Sequence, residues 1–393
     1  MNNILNKIQG DRVIWLVILL LSVFSILAVY SSTGTLAYKY QGGNTEYYLL
    51  KHLGVIASGI ILVFGAHLID YRYYSRIAQL LLYISIPLLL YTLLFGTNIN
   101  DAKRWITLPV INLTFQTSDL AKLALIMYTA RMLSKKQEKI KEFNEAFVPI
   151  LLPVAIVVML IAPEDLSTAI VLFATCLLLM FIGRVALRYI LGLMGTSMIF
   201  LAIFFTIMFA VPEESLEGKL RMLTWKNRIE SFISSDSEIP YQVQQANIAI
   251  AKGGILPNGP GNSAQKNFLP HPYSDFIYAI IIEEYGLIGG AFIVLLYLLF
   301  LSRSIRIVLK SPKAFGALLA VGLALSLVIQ AMINMGVAVN LLPVTGMTLP
   351  LVSMGGSSIW FTSLAIGIIL SVSRHIENLE LENTELLEPQ IAE

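Results

Sequence analysis

Charged residues are scarce in this sequence. Aspartate, glutamate, lysine and arginine make up 13% of the 393 residues, whereas an ordinary soluble domain contains roughly 25%. Hydrophobic residues reach 56%, and they fall in runs of about 20, the length that crosses the hydrocarbon core of a bilayer. The composition excludes an ordinary soluble fold and predicts an all-α integral membrane protein.

Cysteine and histidine are also few. The single cysteine, Cys176, lies inside the apolar run TATCLLLMF, which excludes a disulfide within the chain and a cysteine-based metal site. The four histidines are scattered, and the chain has no P-loop, no paired-histidine metal motif and no nucleophile elbow. The net charge is only +2, and no basic stripe with aromatics is present. We therefore expect no nucleic acid partner.

The apolar runs predict about ten membrane-spanning helices. They lie near residues 13–32, 50–69, 76–96, 119–134, 147–163, 167–183, 186–211, 276–301, 314–338 and 349–372. If both termini are cytoplasmic, lysine and arginine concentrate in the connections on the cytoplasmic side. The short outer segments then hold only Lys39, Lys51, Lys103 and Arg104. Because cytoplasmic loops carry the excess of basic residues, this pattern predicts two cytoplasmic termini.

One long connection separates the seventh and eighth predicted helices. We predict a single membrane domain over residues 1–375, with this extracytoplasmic loop at 212–274, and an acidic cytoplasmic tail at 376–393. The loop far exceeds an ordinary helix connection and mixes charged, glycine-rich and polar segments, so we expect it to be structured and functional. The glutamate-rich tail has little apolar periodicity, which predicts a flexible segment.

Ionisable residues at membrane depth are the first candidates for chemistry, because each is costly in lipid unless it faces a polar cavity or a partner. Asp275 opens the eighth predicted helix at its outer end, where it could act in the site or simply cap the helix. Glu283 and Glu284 follow deeper in the same helix, on faces that differ from that of Asp275. They suit either a proton relay or bonding to neighbouring helices.

Two further sets of charges stand near the predicted outer face. Asp119 and Lys122 are three residues apart, which predicts an ion pair that either neutralises both charges or lines a substrate groove. Lys103 and Arg104 lie in one outer loop, and Arg221, Lys226, Arg228 and Lys266 lie in the long one. Basic groups at this level can bind a pyrophosphate or lipid headgroups.

Several segments resemble the SEDS family (shape, elongation, division and sporulation). The stretch GNSAQKNFLPHPYSDFIYAIIIEEYGLIGG (261–290) is similar to the family's hallmark region, and its GNSAQK portion resembles division members more than elongation members. NMGVAVNLLPVTGMTLPLVSMGGSS (334–358) resembles the late signature. Further matches are DAKRWI (101–106), TSDLAK (117–122), DLSTA (165–169), RIESF (228–232) and YQVQQANIAIAKGG (241–254). The resemblance covers nearly the whole membrane portion.

The resemblance implies a polymerase of lipid II, the undecaprenyl-pyrophosphate-linked disaccharide pentapeptide, in the inner membrane at the division septum. It implies a class B penicillin-binding transpeptidase and other division membrane proteins as partners. It also implies that Asp275 is the essential catalytic carboxylate. Substrate-binding candidates are Lys103, Arg104, Asp119, Lys122, Arg228 and Lys266, and auxiliary candidates are Asp165, Glu283, Glu284, Asn334 and Ser353. No cofactor is required by this reading, although a divalent cation such as Mg²⁺ or Mn²⁺ could assist.

The chain departs from the family pattern beside Asp275. Relatives commonly carry Leu-Pro-Glu-Ala-His-Thr before this aspartate, whereas this chain has Leu-Pro-His-Pro-Tyr-Ser at 269–274. Roles of the family's glutamate and histidine cannot be transferred, and His271 is either an aid to Asp275 or an incidental surface residue. Asp119, Thr117 and Met354 also replace the usual residues.

Three other functions remain open from the sequence. A lipid II flippase would use intramembrane charges at the midplane, and an elongation-type polymerase would share the chemistry but not the septal role. A noncatalytic scaffold would recruit the transpeptidase and would not need Asp275.

Overall fold

The computed structural model describes residues 9–99, 102–108, 113–212, 221–233 and 239–391, and it is dominated by long helices. In chain order these are α1 Arg12–Ser32, α2 Gly34–Tyr40, α3 Thr45–Leu68, α4 Tyr71–Phe95, α5 Thr117–Lys135, α6 Val148–Ile161, α7 Leu166–Ile182, α8 Leu187–Ala210, α9 Met222–Ile233, α10 Tyr241–Gly253, α11 Ile277–Lys310, α12 Ala314–Ala338 and α13 Gly356–Ile391. A short antiparallel sheet, in the order β1 Thr97–Ile99, β2 Ala102–Leu108 and β3 Leu113–Gln116, joins α4 to α5.

The predicted all-α membrane fold is confirmed. Within the described residues, eight helical segments are long and apolar enough to cross a membrane, and α7 is a shorter apolar helix. A helix also covers most of each of the ten predicted runs, α5 included. The count of ten crossings stays a prediction, because α5 is not among the segments that meet the length and hydropathy requirements for a span.

Helices α12 and α13 form the centre of the bundle. In the apolar stretch of each, 72% of the residues are buried, against 6% in α8. Small residues allow this close packing: a Cβ on Gly322 of α12 would lie 2.9 Å from both Ile126 and Leu179. Membrane helices approach through such small residues because lipid supplies little hydrophobic drive between them. The exposed apolar surface of α8 suits contact with lipid.

Two helices begin later than predicted, one by a single residue and the other by seven. Helix α11 begins at Ile277, so Asp275 stands two residues before the helix and is not its N-cap, a position held by Phe276. Helix α13 begins at Gly356, and Leu349–Gly355 form turns instead of a helix. Leu349 and Val352 are apolar because they are buried in a loop between helices. From the sequence alone, such a buried apolar loop looks the same as the start of a membrane span.

The acidic tail differs from its prediction. Helix α13 continues to Ile391, so the part predicted to be flexible extends the last helix. Glutamate and leucine, which recur in ENLELENTELLE, are strong helix formers. The predicted boundary at residue 376 stays untested.

Helix α11 is interrupted at Gly286, where the backbone has φ +70° and ψ −179°. At this point the segment 254–259 crosses the helix: the amide of Leu287 donates to the carbonyl of Gly254 at 2.9 Å, and that of Gly259 to the carbonyl of Glu284 at 2.9 Å. A Cβ on Gly286 would lie 2.5 Å from the carbonyl oxygen of Ile255. Glycine is required here both for the dihedral angles and for the close approach.

The long loop is structured where it is described, as predicted. It contains α9 and α10, and Trp225 of α9 packs against Phe204 of α8 with ring centroids 6.1 Å apart. Helix α10 packs against α11, where a Cβ on Gly253 would lie 2.2 Å from the carbonyl oxygen of Ile282. These contacts hold the loop over one end of the bundle.

Candidate active site

A polar cavity of about 620 Å³ opens at the end of the bundle where the long loop lies. Its walls come from the sheet, α5, α7, α9, the segment before α11 and the connection between α12 and α13. Four helices, α5, α7, α11 and α13, begin at or beside this cavity. Helix N-termini carry partial positive charge and free N–H groups, so the framework itself favours an anionic ligand.

Asp275, the predicted catalytic carboxylate, lies in the lining of this cavity. The hydroxyl of Ser274 donates to its Oδ1 at 2.8 Å. Burial raises the pKa of the Asp275 carboxyl above its ordinary value, while the Ser274 hydroxyl and the nearby charges of His271, Arg228 and Arg104 oppose this rise. A carboxylate with a raised pKa is a stronger base than an ordinary aspartate.

Two predicted auxiliary residues hold the backbone around Asp275. The side-chain amide of Asn334 donates to the carbonyl oxygens of Asp275 (3.0 Å) and Met347 (2.7 Å). The hydroxyl of Ser353 donates to the carbonyl oxygen of Ser274 at 2.7 Å. The segment before α11 and the connection between α12 and α13 are thereby joined, and Asp275 is fixed between them.

Arg104 approaches the cavity from strand β2. Its Nη1 lies 2.7 Å from Oδ2 of Asp165, and its Nε donates to the carbonyl oxygen of Glu164 at 3.0 Å. Asp165 is also the N-cap of α7, since its Oδ1 accepts from the amide of Thr168 at 3.1 Å. The predicted auxiliary residue Asp165 therefore orients the Arg104 guanidinium.

Two more arginines reach the same cavity from the long loop. Arg221 donates to the carbonyl oxygen of Glu164 at 3.3 Å, and Arg228 donates to that of Thr345 at 3.4 Å. Burial lowers the pKa of both guanidiniums, and the positive charge of Arg104 is the second cause that lowers it. Neither forms an ion pair with a carboxylate of the described residues. Three guanidiniums, only one of them paired, can bind a pyrophosphate.

Asp119 and Lys122 form the predicted ion pair on the cavity wall. Nζ of Lys122 lies 3.3 Å from Oδ1 of Asp119 and donates to Oε1 of Gln330 at 2.8 Å. Gln330 in turn donates to the carbonyl oxygen of Thr348 at 2.9 Å. The pair therefore supports the connection between α12 and α13 as well as lining the cavity.

The structure does not bring the other predicted binding residues to this cavity. Nζ of Lys266 donates to the carbonyl oxygen of Gly261 at 2.7 Å, within its own loop. Lys103 is exposed, and its backbone amide donates to Oε2 of Glu164 at 2.9 Å. Lys103 and Lys266 are absent from the cavity lining, because neighbouring residues on a strand point to opposite faces and because the Lys266 loop folds over α11.

Glu283 and Glu284 form hydrogen bonds to neighbouring segments and do not line the cavity. Glu283 accepts from the amides of Ala264 (3.1 Å) and Gln265 (3.2 Å) and from the hydroxyl of Ser263. Glu284 accepts from the hydroxyl of Ser31 and from the amide of Ser263 at 3.4 Å. Both carboxyl groups therefore attach the loop at 263–265 to α11, and Glu284 also attaches it to α1.

The predicted divalent cation is not tested by these contacts. Among the described residues, no three or more histidine, cysteine, aspartate or glutamate side chains are grouped in a way that could hold a metal ion. Two of the cavity carboxylates, Asp119 and Asp165, already face Lys122 and Arg104. The cavity thus has its own cations for stabilising negative charge.

Gln330 was not among the predicted site residues, and Arg221 was named only as one of the outer basic residues and not as a substrate-binding candidate, although spacing could have indicated both. Arg221 stands seven residues before Arg228, which is two turns of a helix and hence the same face. Gln330 stands four residues before Asn334, on one face of α12. In both cases a predicted residue, Arg228 or Asn334, shares one helix face with the second residue, Arg221 or Gln330.

Comparisons with known proteins agree with this architecture. The family model for FtsW, RodA and SpoVE, described as a cell cycle protein, matches residues 11–378. The probable peptidoglycan glycosyltransferase FtsW of Geobacter metallireducens is 36% identical over 93% of this chain and 95% of its own length. Stage V sporulation protein E of Bacillus subtilis is 34% identical over 94% of this chain and 98% of its own length.

A solved structure shares the fold. It is described as structural coordination of polymerization and crosslinking by a peptidoglycan synthase complex. The match has a TM-score of 0.73 and 24% sequence identity, and it covers 93% of this chain and 98% of the matched chain. The sequence match spans nearly the whole chain and includes every residue of the cavity. This chain therefore belongs to the FtsW, RodA and SpoVE family of cell cycle proteins.

Proposed function

We propose that this chain polymerises lipid II into glycan strands and releases undecaprenyl pyrophosphate during septal cell wall synthesis. The enzyme class agrees with the name of the Geobacter metallireducens relative, a probable peptidoglycan glycosyltransferase. The observation that carries the proposal is one cavity in which Asp275, with a raised pKa, faces a cluster of three arginines. The base and the anion site that such a transfer needs are therefore side by side.

The reaction is a single displacement at an anomeric carbon. The C4 hydroxyl oxygen of one disaccharide attacks the anomeric carbon of the other, the bond from that carbon to the pyrophosphate oxygen breaks, and the configuration inverts. Asp275 accepts the hydroxyl proton. A pyrophosphate leaves without a general acid when cations stabilise the charge that develops on its oxygens, the role we assign to Arg104, Arg221 and Arg228.

The position of the charged residues favours an enzyme over a flippase. Asp119 lies in the first turn of α5, Asp165 caps α7, and Asp275 precedes α11. All three are therefore at one end of the bundle, whereas a transporter needs polar residues near the midplane. A scaffold would not require a half-buried base opposite two arginines that form no ion pair among the described residues.

The septal role rests on similarity rather than on the cavity. The GNSAQK segment resembles division members, and the Geobacter metallireducens relative is named FtsW. The sporulation relative is nearly as similar, and elongation polymerases would share the chemistry. Depletion of the protein in its host distinguishes the roles: filamentation with unfinished septa supports division, and rounding of rod-shaped cells supports elongation.

A class B penicillin-binding transpeptidase is the proposed partner in the inner membrane. The matched solved structure belongs to a peptidoglycan synthase complex that coordinates polymerization with crosslinking. The proposed assembly would pass each new strand from the cavity to the transpeptidase. Other division membrane proteins are further proposed partners.

The test is polymerisation of labelled lipid II by purified protein with its cognate transpeptidase. We expect Asp275→Asn to abolish glycan ladders, because the amide cannot accept the proton. The control is Asp70→Asn, at the N-cap of α4, where asparagine caps a helix as well as aspartate. Equal ladders from wild type and from folded Asp275→Asn protein would refute the assignment of the base. Absence of ladders from wild type, together with transfer of lipid II across vesicles, would favour the flippase.

A further inference from the structure

A second cavity adjoins the active site. It measures about 650 Å³ and lies between α9, the start of α10 and the segment 340–344. Arg228 and Gln242 line both cavities. The second cavity, called the side groove below, is therefore continuous with the site at the arginine that we assign to the pyrophosphate.

Helix α9 presents its polar face to the side groove. Thr224, Asn227, Arg228 and Ser231 line it, with Leu223 and Phe232 at its edges. The spacing of the four polar residues places them on one face of the helix. Trp225 lies on another face, against Phe204 of α8. The amide and hydroxyl groups are thus turned toward the groove and away from the apolar helix α8.

The opposite wall of the side groove is mixed. Val243, Leu342, Pro343 and Val344 form its aliphatic part, and the side-chain amides of Gln242 and Asn340 lie beside them. Among the described lining residues, Arg228 is the only charged one, and it stands at the junction with the active site. The groove therefore combines neutral hydrogen-bond donors and acceptors with C–H surface.

We infer that the side groove holds the uncharged backbone of the growing glycan strand, an inference that rests on the proposed function. A β-1,4-linked N-acetylhexosamine chain has hydroxyl and amide groups at its ring edges and C–H surface on its ring faces, which matches this combination of neutral polar groups and aliphatic surface. An isoprenyl tail would place hydrocarbon against the side-chain amides of Asn227, Gln242 and Asn340, an unfavourable way to line a lipid groove. Because the side groove and the active-site cavity meet at Arg228, a strand in the groove would have its pyrophosphate-bearing end in the active site.

Blocking the side groove should separate the first bond from strand growth. Asn227 is exposed at the groove edge, so Asn227→Trp can fill the groove without entering the core. With lipid II and the cognate transpeptidase, we expect formation of the first glycosidic bond to stay near the wild-type rate while mean strand length falls about tenfold, the effect of losing roughly 1.4 kcal/mol of strand binding. The matched control is Asn267→Trp, an exposed position outside both cavities, which should leave strand length unchanged.

A binding measurement keeps this inference separate from the proposed function. The probe is chitotetraose, an uncharged β-1,4-linked N-acetylglucosamine oligomer, titrated against the full-length protein in detergent. We expect wild type and Asn267→Trp to bind it and Asn227→Trp to lose at least about tenfold in affinity, even if wild type fails to polymerise lipid II. Equal strand lengths in the two variants, or chitotetraose binding unaffected by Asn227→Trp, would overturn the inference. If Asn227→Trp weakened the binding of a labelled isoprenyl phosphate and left chitotetraose binding unchanged, the groove would be assigned to lipid.

Discussion

Asp275 experiences opposing effects on its pKa, and their balance determines the pH range in which it can act as a base. Burial raises the pKa, whereas Ser274 and the charges of His271, Arg228 and Arg104 lower it. The active form is the ionised carboxylate, so activity is lost as the pH falls through this raised pKa. The acid limb of the pH profile should therefore lie above the ordinary range of an aspartate.

Arg228→Gln tests this balance. Removing the positive charge raises the pKa of Asp275 further, so the acid limb of polymerisation should move to higher pH than in wild type. Initial rates measured across the pH range report the position of the limb independently of any loss in maximal rate. A limb that stays in place or moves to lower pH would show that Arg228 does not act on the base.

Arg221 and Lys266 provide a matched test of the pyrophosphate site, since both are basic residues of the long loop and only Arg221 lines the cavity. We expect Arg221→Gln to reduce kcat/KM for lipid II by about 10- to 100-fold, the effect of losing a charge-assisted hydrogen bond worth roughly 1.5–3 kcal/mol. Lys266→Gln should stay within about twofold, because an exposed charge outside the site contributes little. The opposite ranking would return Lys266 to the site.

At the scale of elements, the site depends on segments that are not helical. Asn334 and Ser353 join the segment before α11 to the connection between α12 and α13, and both act through backbone carbonyls. Their positions fall in matched family segments, which is why the sequence could indicate them. Their role could not be predicted, because hydrogen bonds to a backbone depend on where two loops meet.

The break in α11 is a second such element, and Gly286→Ala tests it. An alanine would have to adopt dihedral angles that only glycine tolerates, and its Cβ would meet the carbonyl of Ile255. We expect a loss of about 1–3 kcal/mol from the backbone alone, measured as a lower thermal-unfolding midpoint in detergent. Gly54→Ala is the control, since a Cβ there enters open space and Gly54 lies inside α3. Equal midpoints for the two variants would contradict the structural role of the break.

At the scale of the whole molecule, the two described ends of the chain meet at the end of the bundle opposite the cavity. Asp11 pairs with Arg303 at 2.7 Å, and Arg374 donates to the side chain of Gln9 at 2.8 Å. Two ends on one side require an even number of crossings, in agreement with the predicted ten. Basic residues near these ends favour the cytoplasmic side.

Labelling of single cysteines tests this orientation. In a Cys176→Ala background, Asn267→Cys should react with a membrane-impermeant maleimide in intact spheroplasts, and Lys313→Cys should react only after lysis, because the two exposed positions lie on opposite faces. Native Cys176 is buried, so wild-type protein is the unlabelled control. The reverse pattern would refute the predicted topology and place the cavity in the cytoplasm.

The sequence alone was enough for the membrane class, the approximate positions of the helices and the family, and it led to the prediction that Asp275 is the catalytic carboxylate. Apolar runs about as long as a bilayer is thick must become helices, since backbone groups have no other partners in lipid. Which basic residues share the cavity became known only from the folded chain. Arg221 lines it and Lys266 does not, and α13 begins seven residues after the start of its apolar run. Side-chain directions in loops follow from long-range contacts, here those of Glu283, Asn334 and Ser353, and no local pattern encodes them.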